Sequence, residues 1–424
     1  MKLTRIVLMV AGTCSLLAAN AMADGLVRLA SDEIHYVTQE TEPSPSDITP
    51  EPDLLSDAEE DGYGYYDPYT GDPWELFSET RRGLKIGGWF QLGYHTEGAN
   101  GVGVGLPWDF PTGVGNAKVS PFNNYPNVLQ LHQAWMYAEK VAESNGSGWD
   151  WGFRFDCVYG TDGQDTQAYG SEPGNWDTTW DAGGFYGLAI PQLYAEVTYN
   201  DLKVKAGKFF RTVGYQKVQA PENFFYSHAL SFLIAPYTHT GFLAEYPIAD
   251  CATLYGGWAA GWDTGFDHNG GDIFLGGFSV LLTDTISLTY MTTMGDYGFV
   301  LPGPGSDPDA YSHSIVLDWQ VTDRLNYVLE ADYLENGVLA PYGPVVAYNQ
   351  YLFYTLNDRW AVGGRFDWFQ VLGTDREFSD FTIGANYRPH PNLVIRPEIR
   401  VDVFDPDVGA QDSTVFGIDA ILTY

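Results

Sequence analysis

Hydrophobic and polar side chains alternate without a break along residues 149–159, W-D-W-G-F-R-F-D-C-V-Y. Trp149, Trp151, Phe153, Phe155, Cys157 and Tyr159 fall on one face, and Asp150, Gly152, Arg154, Asp156 and Val158 on the other. A period of two is a β-strand, because successive side chains point to opposite faces of a pleated chain. An unbroken aromatic face opposite charges of both signs suits a soluble sandwich strand with the aromatics turned inward. It equally suits a membrane barrel strand with the aromatics turned toward lipid.

The same pattern predicts strands at 84–97, 128–141, 149–160, 190–199, 202–211, 239–247, 251–262 and 272–282. It continues at 286–294, 311–321, 325–336, 345–356, 360–369, 378–387, 393–404 and 413–424. The connections decide between the two architectures. Short ones at 200–201, 248–250, 283–285, 322–324, 357–359 and 388–392 are rich in Asn, Asp and Pro, which favour tight turns. Long ones at 98–127, 161–189, 212–238, 263–271, 295–310, 337–344, 370–377 and 405–412 alternate with them. A Greek-key sandwich has no reason to alternate in this way. An all-β, transmembrane, antiparallel up-and-down barrel of about 16 strands does, with short periplasmic turns and long extracellular loops.

The aromatics give an independent check. Trp360 and Trp368 share a face, and eight residues at about 3.3 Å each span about 26 Å of strand. A tilt of roughly 40° reduces this to about 20 Å of height, close to the lipid band between two aromatic girdles. Trp149 and Tyr159, and Tyr311 and Trp319, bracket their strands likewise, and Tyr424 ends the last one.

Composition narrows the class. The chain has 424 residues, 16% aromatic, and a formal net charge of −34, which excludes a nucleic-acid partner because phosphates would repel it. No apolar run after residue 23 is long enough for a membrane helix. Residues 1–23 read as a secretory signal peptide, with Lys2 and Arg5, an apolar stretch, and Ala21-Met22-Ala23 as the cleavage site. Residues 24–80 hold 16 acidic residues and one basic residue, with Pro43, Pro45, Pro50 and Pro52. Such a stretch is expected to be a disordered periplasmic segment. Its 61–73 portion lacks the spacing of an EF-hand calcium loop. The barrel is expected to occupy 81–424. Cys157 and Cys251 both fall in predicted strands and read as small wall residues rather than a disulfide. The eight histidines lack ligand spacing, so neither a metal nor a cofactor is expected.

Several stretches resemble known proteins. Phe416, Ile418, Ala420, Leu422 and Tyr424 alternate to the final residue, as in the closing strand of bacterial outer-membrane barrels, with Tyr where Phe is commonest. The words G-K-F-F-R-T-V-G-Y-Q (207–216), A-P-E-N-F-F-Y-S-H-A (220–229) and P-Y-T-H-T-G (236–241) resemble the OmpL-like putative β-barrel porin family. Gln216 and His228 stand where that family leads us to expect Glu and Arg. The resemblance implies an outer-membrane porin whose third long loop, 212–238, folds into the lumen and narrows it. Arg211, Lys217, Glu222, Asn223, Tyr226 and His228 are the constriction candidates. The implied partners are outer-membrane lipid, small hydrophilic solutes or cations, and the barrel-assembly machinery, with a homotrimer as one assembly such porins allow.

The polar strand faces supply the expected lumen wall: Arg154, Asp156, Lys203, Lys205, Asp318, Glu330, Asp332, Arg365, Asp367, Arg396, Glu398, Arg400 and Asp402. Facing lipid, each charge would cost about 2–4 kcal/mol near the midplane, whereas facing water it costs little. Residues 81–424 carry 18 basic and 39 acidic residues, a net of −21, so weak cation preference is expected. Arg365, Arg396 and Arg400 argue against a strong one and could form a basic ladder facing acids across the bore. Three other readings compete. A closed structural barrel leaves no clean sequence signal. A secreted sugar-binding β-protein would turn its aromatic faces inward. A hydrolase would need more than the adjacent Ser227 and His228, and no G-x-S-x-G is present.

Overall fold

The computed structural model describes residues 74–77, 83–98, 122–123, 125–144, 146–168, 177, 185–266, 270–298, 307, 309–337, 343–374, 377–404 and 412–424. The leader at 1–23 and nearly all of the 24–80 segment lie outside the described residues.

Sixteen strands form where the alternation predicts them. They are β1 (Lys85–His95), β2 (Gln130–Lys140), β3 (Trp149–Gly160), β4 (Gly187–Tyr199), β5 (Leu202–Phe210), β6 (Thr238–Ala249), β7 (Ala252–Ala259) and β8 (Asp272–Thr283). After them come β9 (Ile286–Asp296), β10 (Tyr311–Thr322), β11 (Leu325–Glu335), β12 (Val345–Asn357), β13 (Trp360–Val371), β14 (Glu377–His390), β15 (Leu393–Phe404) and β16 (Ser413–Thr423). Each pairs antiparallel with its sequence neighbours, and β1 pairs with β16, so the sheet is a closed barrel with no free edge. The seam is sealed beside the last residue, where Gly88 and Tyr424 exchange backbone hydrogen bonds of 3.1 and 2.9 Å.

A few boundaries differ from the sequence reading. β7 stops at Ala259 rather than 262, because Gly261 takes φ +99° and Trp262 turns to stack on Tyr297 at 4.0 Å. A short helix, α1 (Thr161–Thr166), opens the second long loop and has no periodic sequence signal. At the short-turn end, the Asn392 side chain bonds both the N–H and the C=O of Trp74 at 2.9 Å, fixing the chain just ahead of the barrel.

The two barrel faces are sorted as the alternation requires. Outward positions carry exposed apolar side chains, Trp149 among them at 71% exposure. The seven girdle candidates all lie on this face. Trp360 stacks on Tyr387 at 4.4 Å, Trp368 on Tyr348 at 5.5 Å, and Tyr424 packs on Phe90 at 5.4 Å. Tyr311 packs on Tyr333 at 5.7 Å and Tyr159 on Tyr186 at 5.7 Å, while Trp319 pairs in register with Tyr327. The inward face is mixed. Polar residues dominate β10–β16, but toward the long-loop ends of β5–β8 the inward Phe209, Leu243, Ala259, Ile273 and Leu275 are buried in an apolar cluster with Trp262 and Tyr297.

Candidate functional site

The connection between β5 and β6, residues 211–237, lies inside the barrel. Its backbone is held by inward side chains of strands far from it in sequence. Glu398 of β15 accepts hydrogen bonds from the N–H groups of Tyr226 (2.9 Å) and Ser227 (3.1 Å). Arg365 of β13 donates to the carbonyls of Ser227 (2.5 Å) and His228 (3.3 Å). Arg396 of β15 donates to the carbonyls of Ala220 (2.9 Å) and Asn223 (2.5 Å). Glu330 of β11 accepts from Tyr215 N–H at 2.8 Å, and Ser314 of β10 from Gly214 N–H at 3.0 Å. Across the seam, Gln133 of β2 bonds Val218 O and Ala220 N–H. A loop backbone buried without a ladder must find partners, and here strand side chains supply them.

Three consecutive loop aromatics fit against wall glycines. Phe224 lies on Gly363, Phe225 on Gly384, and Tyr226 on both Gly417 and Gly93. Gly363 pairs with Gly384 across β13 and β14, Gly384 with Glu398, and Glu398 with Gly417. The seat is therefore one row running across four strands, with the carboxylate that binds the loop backbone at its centre. The Tyr226 hydroxyl also meets His132 Nε2 at 2.6 Å, and His132 Nδ1 meets Asp162 of α1 at 2.8 Å. This chain ties the second long loop to the third. A cavity of about 10 Å³ remains there, lined by Gln91, His132, Asp162, Tyr226 and Arg396 among others. It is room for about one water.

The arginines that hold the loop are themselves neutralised. Arg365 pairs with Asp367 (2.7 Å) and Asp380 (3.4 Å), Arg396 with Asp419 (2.6 Å), and Arg400 with Asp402 (2.7 Å). Arg154 pairs with Glu139 and Asp156. Each partner lies on the same or a neighbouring strand. This corrects the expectation of a basic ladder facing acids across the bore: a buried guanidinium requires a nearby carboxylate, and the barrel supplies it locally. On the loop, burial among the Arg365, Arg211 and Arg396 guanidiniums pushes the His228 imidazole down to about 3.

The structure divides the predicted site residues into two sets. All thirteen lumen candidates sit on the inward face, but Asp156, Glu330, Arg365, Asp367, Arg396, Glu398, Arg400 and Asp402 are buried rather than open to water. The reason is that the loop and their own ion-pair partners cover them. Lys203, Lys205, Arg154, Asp318 and Asp332 keep partial exposure. Of the six loop candidates, Lys217 and Glu222 are exposed. Arg211 is buried on the Phe232 ring and bonds Gln216 O at 2.8 Å, and Tyr226 and His228 are buried. Asn223 spends its amide on the carbonyls of Lys217 (2.7 Å) and Gln219 (2.9 Å). The two exposed charges interact first with each other, and Glu222 also feels Arg154 and Asp156 of β3 while Lys217 also feels Arg211 and Glu330. The glycine seats, Gln133, His132, Asp162, Asp380 and Asp419 went unrecognised in the sequence. The glycines carried a signal, since each occupies an inward position of an otherwise regular strand.

Comparison with curated proteins gives no match. Among solved structures, the outer membrane channel DcaP of Acinetobacter baumannii is similar at TM-score 0.52 and 13% identity, over 82% of this chain and 99% of that one. A mutant of the Rh. blastica porin aligns at TM-score 0.48 and 15% identity, over 80% of this chain and 100% of that one. A loop-deletion mutant of the Vibrio cholerae outer membrane protein OmpT aligns at 0.48 and 11%, over 80% and 99%. The first of these likenesses shows the fold, a porin barrel. The family described as putative beta-barrel porin-2, OmpL-like, matches residues 83–424, and this chain belongs to that family.

Proposed function

We propose that this outer-membrane porin-family barrel forms a water-filled channel for passive diffusion of small hydrophilic solutes and ions, with weak cation preference. The observation that carries the reading is the division of labour in the 211–237 loop. Its backbone is fixed to β2, β10, β11, β13 and β15, while Lys217 and Glu222 remain exposed. A loop so held narrows a bore without being swept aside by flow. The acidic excess of the chain supports cation preference, because negative mouths concentrate cations over about 10 Å at moderate salt. On this reading residues 1–23 direct export, 24–80 form a periplasmic segment, and the barrel-assembly machinery inserts the chain, with a homotrimer as the assembly to test.

The test is single-channel recording of the refolded mature protein in a planar bilayer under a salt gradient. Stable steps with a cation-favouring reversal potential are expected. A folded, inserted barrel without steps would overturn the channel. It would favour the second reading, a closed barrel, for which the buried inward cluster of Phe209, Leu243, Trp262, Ile273, Leu275 and Tyr297 speaks.

A further inference from the structure

The apolar side chains that pack where the 211–237 loop meets β10–β13 are not all covered. Phe225, Val328 and Tyr351 are buried at the centre of the cluster. Phe224, Phe353 and Tyr215 around them are only half-buried. Phe353 stands on the inward face of β12, and the Phe224 ring meets it at 4.8 Å with a tilt of 34°. Tyr215 meets the Tyr351 ring at 4.9 Å, and Tyr351 stacks beside Phe353 at 6.0 Å. The rings form one floor. Apolar surface left open to water is unfavourable by about 25 cal/mol for each Å². Where it gathers in a patch rimmed by polar groups, it marks a contact surface.

The strands beside the floor supply that rim. Asn326 of β11 stands directly opposite Phe353, and Gln320 of β10 directly opposite Asn326. Asp318 is the next inward position of β10, in the row of Val328 and Tyr351. Asn326 Nδ2 donates to Asp318 Oδ1 at 2.6 Å and to Gln320 Oε1 at 3.4 Å, which holds the three side chains as a strip along the rings. Asp318 is half-buried and Gln320 exposed, so the strip faces water. The donors of the Asn326 amide are spent within the strip, and its free capacity is that of an acceptor: the second carboxylate oxygen of Asp318 and the amide oxygen of Asn326.

An aromatic floor with acceptors along one edge suits a flat ring that carries hydroxyls. The C–H face of a pyranose lies on the rings, and its hydroxyls donate to the carboxylate and the amide oxygen. Asp318 repels an anion. A quaternary ammonium is held by rings set around it as a cage, whereas these lie side by side. We propose that Phe353 and Phe224, with Asp318 and Asn326, form a subsite for a neutral sugar inside the barrel, near the β10–β11 turn. The inference rests on the channel reading and names a solute class for it.

The experiment adds maltotriose to a bilayer holding the refolded mature protein in potassium chloride. Concentration-dependent interruption of the current is expected. Mannitol at matched viscosity, a polyol without a ring face, should lower the current only in proportion to viscosity. Phe353→Leu keeps apolar volume but removes the flat ring, and the half-blocking concentration should rise about fivefold, the scale of a lost aromatic contact. Asp318→Ala should raise it about tenfold, the scale of a lost hydrogen bond to a charged group. Each variant is first checked for heat-shifted mobility, and either one alone suffices for the test. Equal block in the parent and a folded variant, equal block by mannitol, or no block in a conducting channel overturns the subsite and leaves the channel standing. Block by choline and not by maltotriose overturns it in favour of an organic cation. If the folded barrel does not conduct, calorimetric titration of maltotriose in a detergent without sugar headgroups reads the same floor. Heat that is lost in the variants supports the subsite, and absent or unchanged heat overturns it.

Discussion

Phe224 lies on the bare Cα of Gly363: a Cβ added to the glycine would come within 2.7 Å of the phenylalanine ring. Three strands away, Tyr226 stands in the same relation to Gly417, also at 2.7 Å. The rings are hemmed in by Phe225, Phe353 and His132, so they cannot step aside cheaply. These glycines serve a loop outside their own strands. Gly363→Leu and Gly417→Val should each lift part of the 211–237 loop from the wall and leave the strand pairing intact. The measurements are protease cleavage within 211–237 and single-channel conductance. Faster cleavage and larger or noisier steps are expected. An unchanged cleavage pattern from a heat-modifiable barrel would mean that the rings have another place to sit.

Glu398 holds the same loop from below by a different force. Its carboxylate is buried and accepts two loop N–H groups. Removing the acceptor strands both donors, at about 1–3 kcal/mol for each unsatisfied group. Glu398→Ala should therefore loosen the loop more than Glu398→Gln, which keeps one carbonyl oxygen. Hydrogen exchange at Tyr226 and Ser227 reads this directly, with the order alanine, glutamine, parent from fastest to slowest.

The barrel was legible because lipid and water impose a period of two on every strand, and because turn and loop lengths alternate. Trp149–Tyr159 alone left the choice of architecture open, and the alternation of short and long connections closed it. The inner site was legible only in part. Arg365, Arg396 and Glu398 stood out as charges on an inward face, but water and a buried loop look alike from one strand. Their partners, Asp380, Asp419 and the loop's backbone carbonyls and N–H groups, come from strands and loops whose register no single segment encodes. The second long loop hid most completely. Asp162 reaches His132 through α1, a helix of six residues with no amphipathic pattern.

Arg365 joins two systems, and its loss should be felt in both. Its guanidinium is fully buried, pairs with Asp367 and Asp380, and donates to two loop carbonyls. Arg365→Met keeps much of the volume but leaves two buried carboxylates facing each other. Breaking a buried pair in this way costs about 3–5 kcal/mol. The urea midpoint of the folded barrel should fall. Adding Asp367→Asn and Asp380→Asn should recover most of the loss. Failure of the triple variant to recover would place the arginine's worth in the loop carbonyls instead.

His228 gives the loop a dependence on pH whose sign is fixed by its surroundings. Docked, it is buried between Phe122 and Phe232, bonds Lys217 O through Nε2, and faces the Arg365, Arg211 and Arg396 cations; burial first, and then those charges, hold it down to about 3. Released into water it would take up a proton near 6.5. The released state thus binds more protons between about 3 and 6.5, so docking is strongest above that window and weakens as pH falls through it. The comparison is with His228→Gln, which retains a donor for Lys217 O but does not titrate. Protease cleavage of 211–237 between pH 7 and pH 4, corrected for the enzyme's own profile, should rise more steeply in the parent than in His228→Gln. Parallel profiles would show that the loop's response to acid belongs to the other groups.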